Sequence, residues 1–108
     1  MRPQRVRAVA AILKEKAYEA EFGGKTRGKF ILSREGLKRL LDLPRLSDAT
    51  LSQISEACLA ADLVMIDLDH SFAFVDIDFV TNWRKIPVSR VKELTEVVNS
   101  QDELGDDD

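Results

Sequence analysis

Residues 47–79, SDATLSQISEACLAADLVMIDLDHSFAFVDIDF, decide the fold, because within them the hydrophobic period changes from helical to extended. From Leu51 the apolar residues fall at Leu51, Ile54, Ala57, Cys58 and Ala61, a spacing of three and four that gathers them on one helical face. Ser47 or Asp48 stands ahead of them to cap the first free amides. After Asp62 the period drops to two. Val64, Ile66 and Leu68 share one face of a first strand, and Ala73, Val75, Ile77 and Phe79 share one face of a second. A tight turn at Asp69, His70 and Ser71 keeps the two sets on the same side, where helix and hairpin are expected to bury one core. Asp67, Asp69, Asp76 and Asp78 point the other way. Beside them Leu63, Met65, Phe72 and Phe74 form an apolar strip, expected to lie under another helix or, as the alternative, against a subunit or partner protein.

Working outward, the segment from about Gln4 to Phe22 reads as a helix with an apolar stripe of Val6, Val9, Ala10, Leu13 and Ala17. Arg2, Arg5 and Arg7 crowd its start, where the helix dipole does not favour positive charge, so they read as a solvated arm or as a phosphate or subunit contact. Gly23 and Gly24 end this helix and open the loop GGKTRGK, which presents Lys25, Arg27 and Lys29. Its glycines are wrongly spaced for a nucleotide-binding P-loop, and no strand leads into it. Phe30, Ile31 and Leu32 make a very short strand. Ser33 then caps a helix with Leu37, Leu40 and Leu41 inward, which Pro44 is expected to stop. Beyond the hairpin, Trp83 reads as a packing anchor, and Pro87 opens a last helix with Val88, Val91, Leu94 and Val98 on one narrow stripe. That stripe either covers the second sheet face or pairs with its own copy in a dimer.

A chain of 108 residues, 44% of them apolar, is sized for one core, and one domain over residues 1–100 is expected, with residues 101–108 a disordered acidic tail. No run approaches the roughly 18 apolar residues of a membrane span, and the basic start lacks a signal-peptide apolar segment, so a soluble, cytoplasmic protein is expected. The net charge of −3 hides an asymmetry. Residues 1–45 hold twelve Lys and Arg against five Asp and Glu, a balance of +7, whereas residues 46–108 carry −10. A basic half admits nucleic acid as a partner.

Little here speaks for catalysis. One histidine at a turn and one cysteine on an inward helical face make no dyad, so Cys58 is read as a buried structural thiol and His70 as an exposed turn residue. The four hairpin aspartates lack the glycine and closing glutamate of a calcium loop and read as a solvated face, so no metal or cofactor is expected.

The order helix, short strand, helix, helix, strand, strand, helix over residues 4–99 resembles the winged-helix superfamily of DNA-binding domains, an α+β fold built on a helix-turn-helix, here with a C-terminal helix. The resemblance implies that the helix beginning near Ser47 enters the major groove of duplex DNA, that the hairpin lies along a neighbouring groove or the backbone, and that a homodimer regulates transcription or serves a mobile element. Ser47, Thr50, Ser52 and Gln53 would then face the groove, with Gln53 placed to bond an adenine edge. Arg34, Lys38 and Arg45 would flank them on phosphates, and Arg27 and Lys29 would add contacts from the basic loop. This helix has no Lys or Arg between residues 47 and 62, and the hairpin is acidic where a wing is usually basic. The competing expectation is a protein-interaction module that binds through Phe72 and Phe74 on the hairpin and Val91, Leu94 and Val98 on the last helix.

Overall fold

Two serines set the entry of two helices. In the computed structural model, which describes residues 3–17 and 28–105 with side chains to residue 102, Ser33 and Ser47 both take extended backbone. Their hydroxyls accept from the amides of Gly36 and Thr50 at 3.0 and 3.2 Å, satisfying free donors at each helix start. The element order is α1 (Pro3–Lys16), β1 (Lys29–Ser33), α2 (Arg34–Leu41), α3 (Asp48–Ala60), β2 (Leu63–Asp67), β3 (Ser71–Asp76), α4 (Ile77–Thr81) and α5 (Val88–Gly105). The class is α+β: helices packed on a three-stranded antiparallel sheet of order β1-β3-β2.

The stripe of α1 is as the spacing predicts, with Val6, Val9, Ala10, Leu13 and Ala17 all buried. The rest of the expected first helix and most of the basic loop, including Lys25 and Arg27, lie outside the described residues. The helix α2 buries Leu37 and Leu41, half-buries Leu40, and ends before Pro44 is reached: Asp42 turns left-handed at φ 57° and its amide donates to carbonyls of the last turn. On α3, Ile54 and Cys58 are buried, with Leu51, Ala57 and Ala61 half-buried beside them.

The hairpin pairs Val64 with Val75 and Ile66 with Ala73, so the two expected sets do share a face. It is the outer face, away from the main core, and only its Val75 is buried. Helices α1 and α3 pack against Leu63, Met65, Phe72 and Phe74, joined from β1 by Phe30 and Leu32. The inversion follows from side-chain bulk. Both faces are apolar, so alternation alone does not choose, and the aromatic rings carry more apolar area than Ala73 or Val75. Phe74 is central: Phe30 lies opposite it with ring centroids 5.1 Å apart and stacked, and Met65 lies opposite on the other strand.

The aspartates do not form one acidic face. Asp76 sits on the buried side at 3% exposure, with its Oδ2 accepting from Lys14 Nζ at 2.6 Å. Its Oδ1 accepts from the Asp78 amide at 3.0 Å and caps α4, so the second strand stops at Asp76 and Ile77, Asp78 and Phe79 are helical rather than extended. Trp83 is no anchor: it is 58% exposed in the connector to α5. The helix α5 covers neither sheet face. All its described side chains are exposed, and it runs on to Gly105, past the boundary drawn at residue 100.

Candidate nucleic-acid interface

The turn between α2 and α3 is the centre of the candidate surface. Its six residues run from Asp42 to Ser47, and the Leu43 amide donates back to Lys38 O at 3.0 Å, closing α2 while Leu43 and Leu46 pack on the core. The two helices are also tied to their neighbours. Arg5 Nε donates to Leu40 O at 3.0 Å, so one arginine of the amino-terminal cluster satisfies a carbonyl at the end of α2 instead of lying free in solvent. Arg34, at the start of α2, donates to Asp69 O at 3.1 Å and lies over the Phe72 ring at 5.6 Å, fastening the hairpin tip to the helix pair.

The sequence-derived residues separate into those that face solvent and those that do not. Ser52 and Gln53 are exposed on α3. Ser52 borders a groove of about 350 Å³ toward Met65 and Asp67 of β2, and Gln53 borders one of about 330 Å³ toward Pro3 and Arg7 of α1, with Glu56 on both. Thr50 is corrected: its residue is buried, and its hydroxyl lies 3.0 Å from that of Ser47, so these two side chains serve the helix cap and Thr50 does not reach a groove. Lys38 lies 3.5 Å from Glu35, and with Arg39 and Asp42 these residues line a groove on the outer side of α2, two charges of each sign. Arg45 is exposed in the turn. Lys29 stands apart on β1, its Nζ 5.4 Å from the Phe79 ring centroid. Of the basic residues, Arg7 shares a groove with Gln53 and Glu56 of α3, whereas Lys38 and Arg39 sit with Glu35 and Asp42 in a groove that no α3 residue lines.

At the hairpin tip His70 has a 96% exposed side chain, 3.5 Å from Asp69, and Asp67 Oδ1 accepts from the Asp69 amide to hold the turn. Phe72 and Phe74 are corrected as partner contacts, since both are wholly buried, whereas Val91, Leu94 and Val98 of α5 are all exposed. Sequence reasoning missed the outer row Ile31–Ala73–Ile66, in which Ile31 is 62% exposed. Its signal was the β1 alternation, with Phe30 and Leu32 inward and Lys29, Ile31 and Ser33 outward.

Among the described residues no three His, Cys, Asp or Glu side chains gather to hold a metal ion, and no helix is long and apolar enough to cross a membrane. Cys58 is a free thiol that burial pushes up from 9.0 to about 11. No protein-family model matches the chain, nor does a curated protein or a solved structure.

Proposed function

We propose that the chain is a winged-helix protein that binds duplex DNA as a homodimer and acts as a transcriptional regulator or an accessory factor of a mobile element. The observation that carries this reading is the α2–turn–α3 pair running straight into an antiparallel hairpin, with Ser52 and Gln53 exposed on the second helix. Gln53 has the paired donor and acceptor that match an adenine edge in the major groove. Arg7, which shares a groove with Gln53, and Arg45, exposed in the turn before α3, would serve as phosphate contacts, with Lys38 and Arg39 adding to them from α2; such contacts position a protein without reading sequence. Arg34 is removed from that set, because its guanidinium already holds the hairpin tip.

Anisotropy of a labelled duplex tests the reading, with one random sequence and one from upstream of the protein's own gene, titrated at about 50 and 200 mM salt. Tighter binding to the upstream duplex, weakening as salt rises, is the expected result, and Gln53→Ala should narrow the preference by about 1–3 kcal/mol. Absence of binding to either duplex at low salt contradicts the reading. A second reading, a protein-interaction module, is favoured by the mixed charges of Glu35, Lys38, Arg39 and Asp42 around α2 and by the exposed Ile31 and Ile66 that flank Ala73 on the outer sheet face.

A further inference from the structure

The register of the sheet fixes which main-chain groups its two edge strands, β1 and β2, turn outward. Asp76 N donates to Gly28 O at 2.8 Å and Arg34 N donates to His70 O at 3.3 Å, so Gly28, Phe30, Leu32 and Arg34 are the residues that exchange bonds with β3. Lys29, Ile31 and Ser33 therefore direct their N–H and C=O groups along the outer edge of β1. On the other side, Leu68 N donates to Ser71 O at 2.9 Å, which leaves Leu63, Met65 and Asp67 as the outer-edge residues of β2. Edge strands are commonly guarded by charge. β2 is guarded: Asp67 lies on its edge, and Glu56 shares a groove with it. The edge of β1 is not, because the two cations that bracket it are turned onto rings of their own chain, Lys29 5.4 Å from that of Phe79 and Arg34 5.6 Å from that of Phe72. Between them Ile31 is 62% exposed and Leu32 half-buried.

We propose that β1 pairs antiparallel with β1 of a second copy of this chain, about a two-fold axis at Ile31, joining the two sheets edge to edge; this deepens the reading above and rests on its homodimer, not on its DNA. In this register outward groups meet outward groups. Ile31 exchanges bonds with Ile31 of the partner subunit, and Lys29 faces Ser33 of the partner subunit, twice by symmetry. The side chains match as well. On the outer face Ile31 lies beside the partner's Ile31, and on the inner face the half-buried Leu32 meets the partner's Phe30. No like charges stand opposed along the strand. A pair centred at Met65 of β2 would instead set Leu63 against Asp67 of the partner subunit, an apolar side chain against a carboxylate, so β1 is the edge that complements itself.

Sedimentation velocity of the full chain without DNA reads the contact. A dimer is expected, and Ile31→Lys, which sets two ammonium groups across the axis, should convert it to monomer. Circular dichroism should stay that of the folded chain, because Ile31 is 62% exposed within its own fold. Register is read by cysteine cross-linking under mild oxidation. Ile31→Cys places two thiols on Cα atoms about 5.5 Å apart and should give a disulfide-linked dimer. Lys29→Cys places them four residues apart along the strand, about 14 Å, and should not. Cys58 is buried and stays out of the reaction. A monomer at all concentrations, a dimer indifferent to Ile31→Lys, or Lys29→Cys linking as fast as Ile31→Cys would overturn the proposal. A dimer that gives the expected responses but binds no duplex leaves it standing and removes the DNA reading alone; a monomer that binds duplex does the reverse.

Discussion

Asp76 holds three elements at once. Its Oδ2 meets Lys14 of α1 at 2.6 Å, its Oδ1 caps α4 at 3.0 Å, and its amide donates to Gly28 O at 2.8 Å. Lys14 also donates to Asp62 O at 3.3 Å, so one ammonium spans from α1 to the entry of β2. Lys14→Met removes the charge beside a carboxylate whose side chain is 4% exposed, and should lower unfolding free energy by roughly 2–3 kcal/mol in urea titrations. Asp76→Asn keeps a carbonyl for the α4 cap and should cost less than Asp76→Ala. Cys58 makes a pH prediction. Its folded thiol ionises near 11 against 9.0 unfolded, so the neutral form favours the native state. Its contribution is complete below pH 9.0 and declines as pH rises toward about 11, where the unfolded chain has released a proton that the folded one retains. Cys58→Ala should flatten the fall in denaturation midpoint over that window. Asp76 was not legible from sequence: an aspartate in an alternating strand reads as outward unless its partner, 62 positions away, is known.

At the scale of elements, each cap and stripe carries a measurable share. Ser47→Ala should cost about 1 kcal/mol, because it strips the acceptor from the Thr50 amide and the partner from the Thr50 hydroxyl. The two sheet faces differ more sharply. Phe74→Ala opens a cavity beneath α1 and α3 and should cost about 3–5 kcal/mol, while Ile31→Thr on the outer face should stay within about 0.5 kcal/mol, both by chemical denaturation. Local periodicity made α1, α2, α3 and α5 and the existence of the hairpin legible, since a stripe such as Val6, Val9, Ala10 and Leu13 has one physical solution, whereas the hairpin register and the helical turn of α4 were not fixed by it. The choice of inner face was not legible that way. Leu63, Met65, Phe72 and Phe74 alternate as cleanly as Val64, Ile66, Ala73 and Val75, and side-chain bulk together with β1 breaks the tie. The exposed stripe of α5 was readable from spacing, but Trp83, an aromatic in a polar connector, gave no local sign of standing in solvent.

The whole molecule is extended for its length. Its radius of gyration is 18.1 Å, against about 13 Å for a compact chain of this size, and its longest extent is 49 Å. An 18-residue helix, about 27 Å long, that buries none of its described side chains accounts for that shape. Thr50 and Arg34 show the limit of reading a site from a sequence: both fit the expected pattern by type, yet one closes a helix cap and the other pins the hairpin. Ser52, Gln53 and Arg45 remain exposed and Lys38 half-buried, and the proposal of duplex recognition stands on them. The most direct test is backbone amide exchange of the full chain with and without the upstream duplex. Slowed exchange confined to α3, the α2–α3 turn and the hairpin tip is the predicted result. Protection on α5 or the outer strand face, with α3 unchanged, would contradict it.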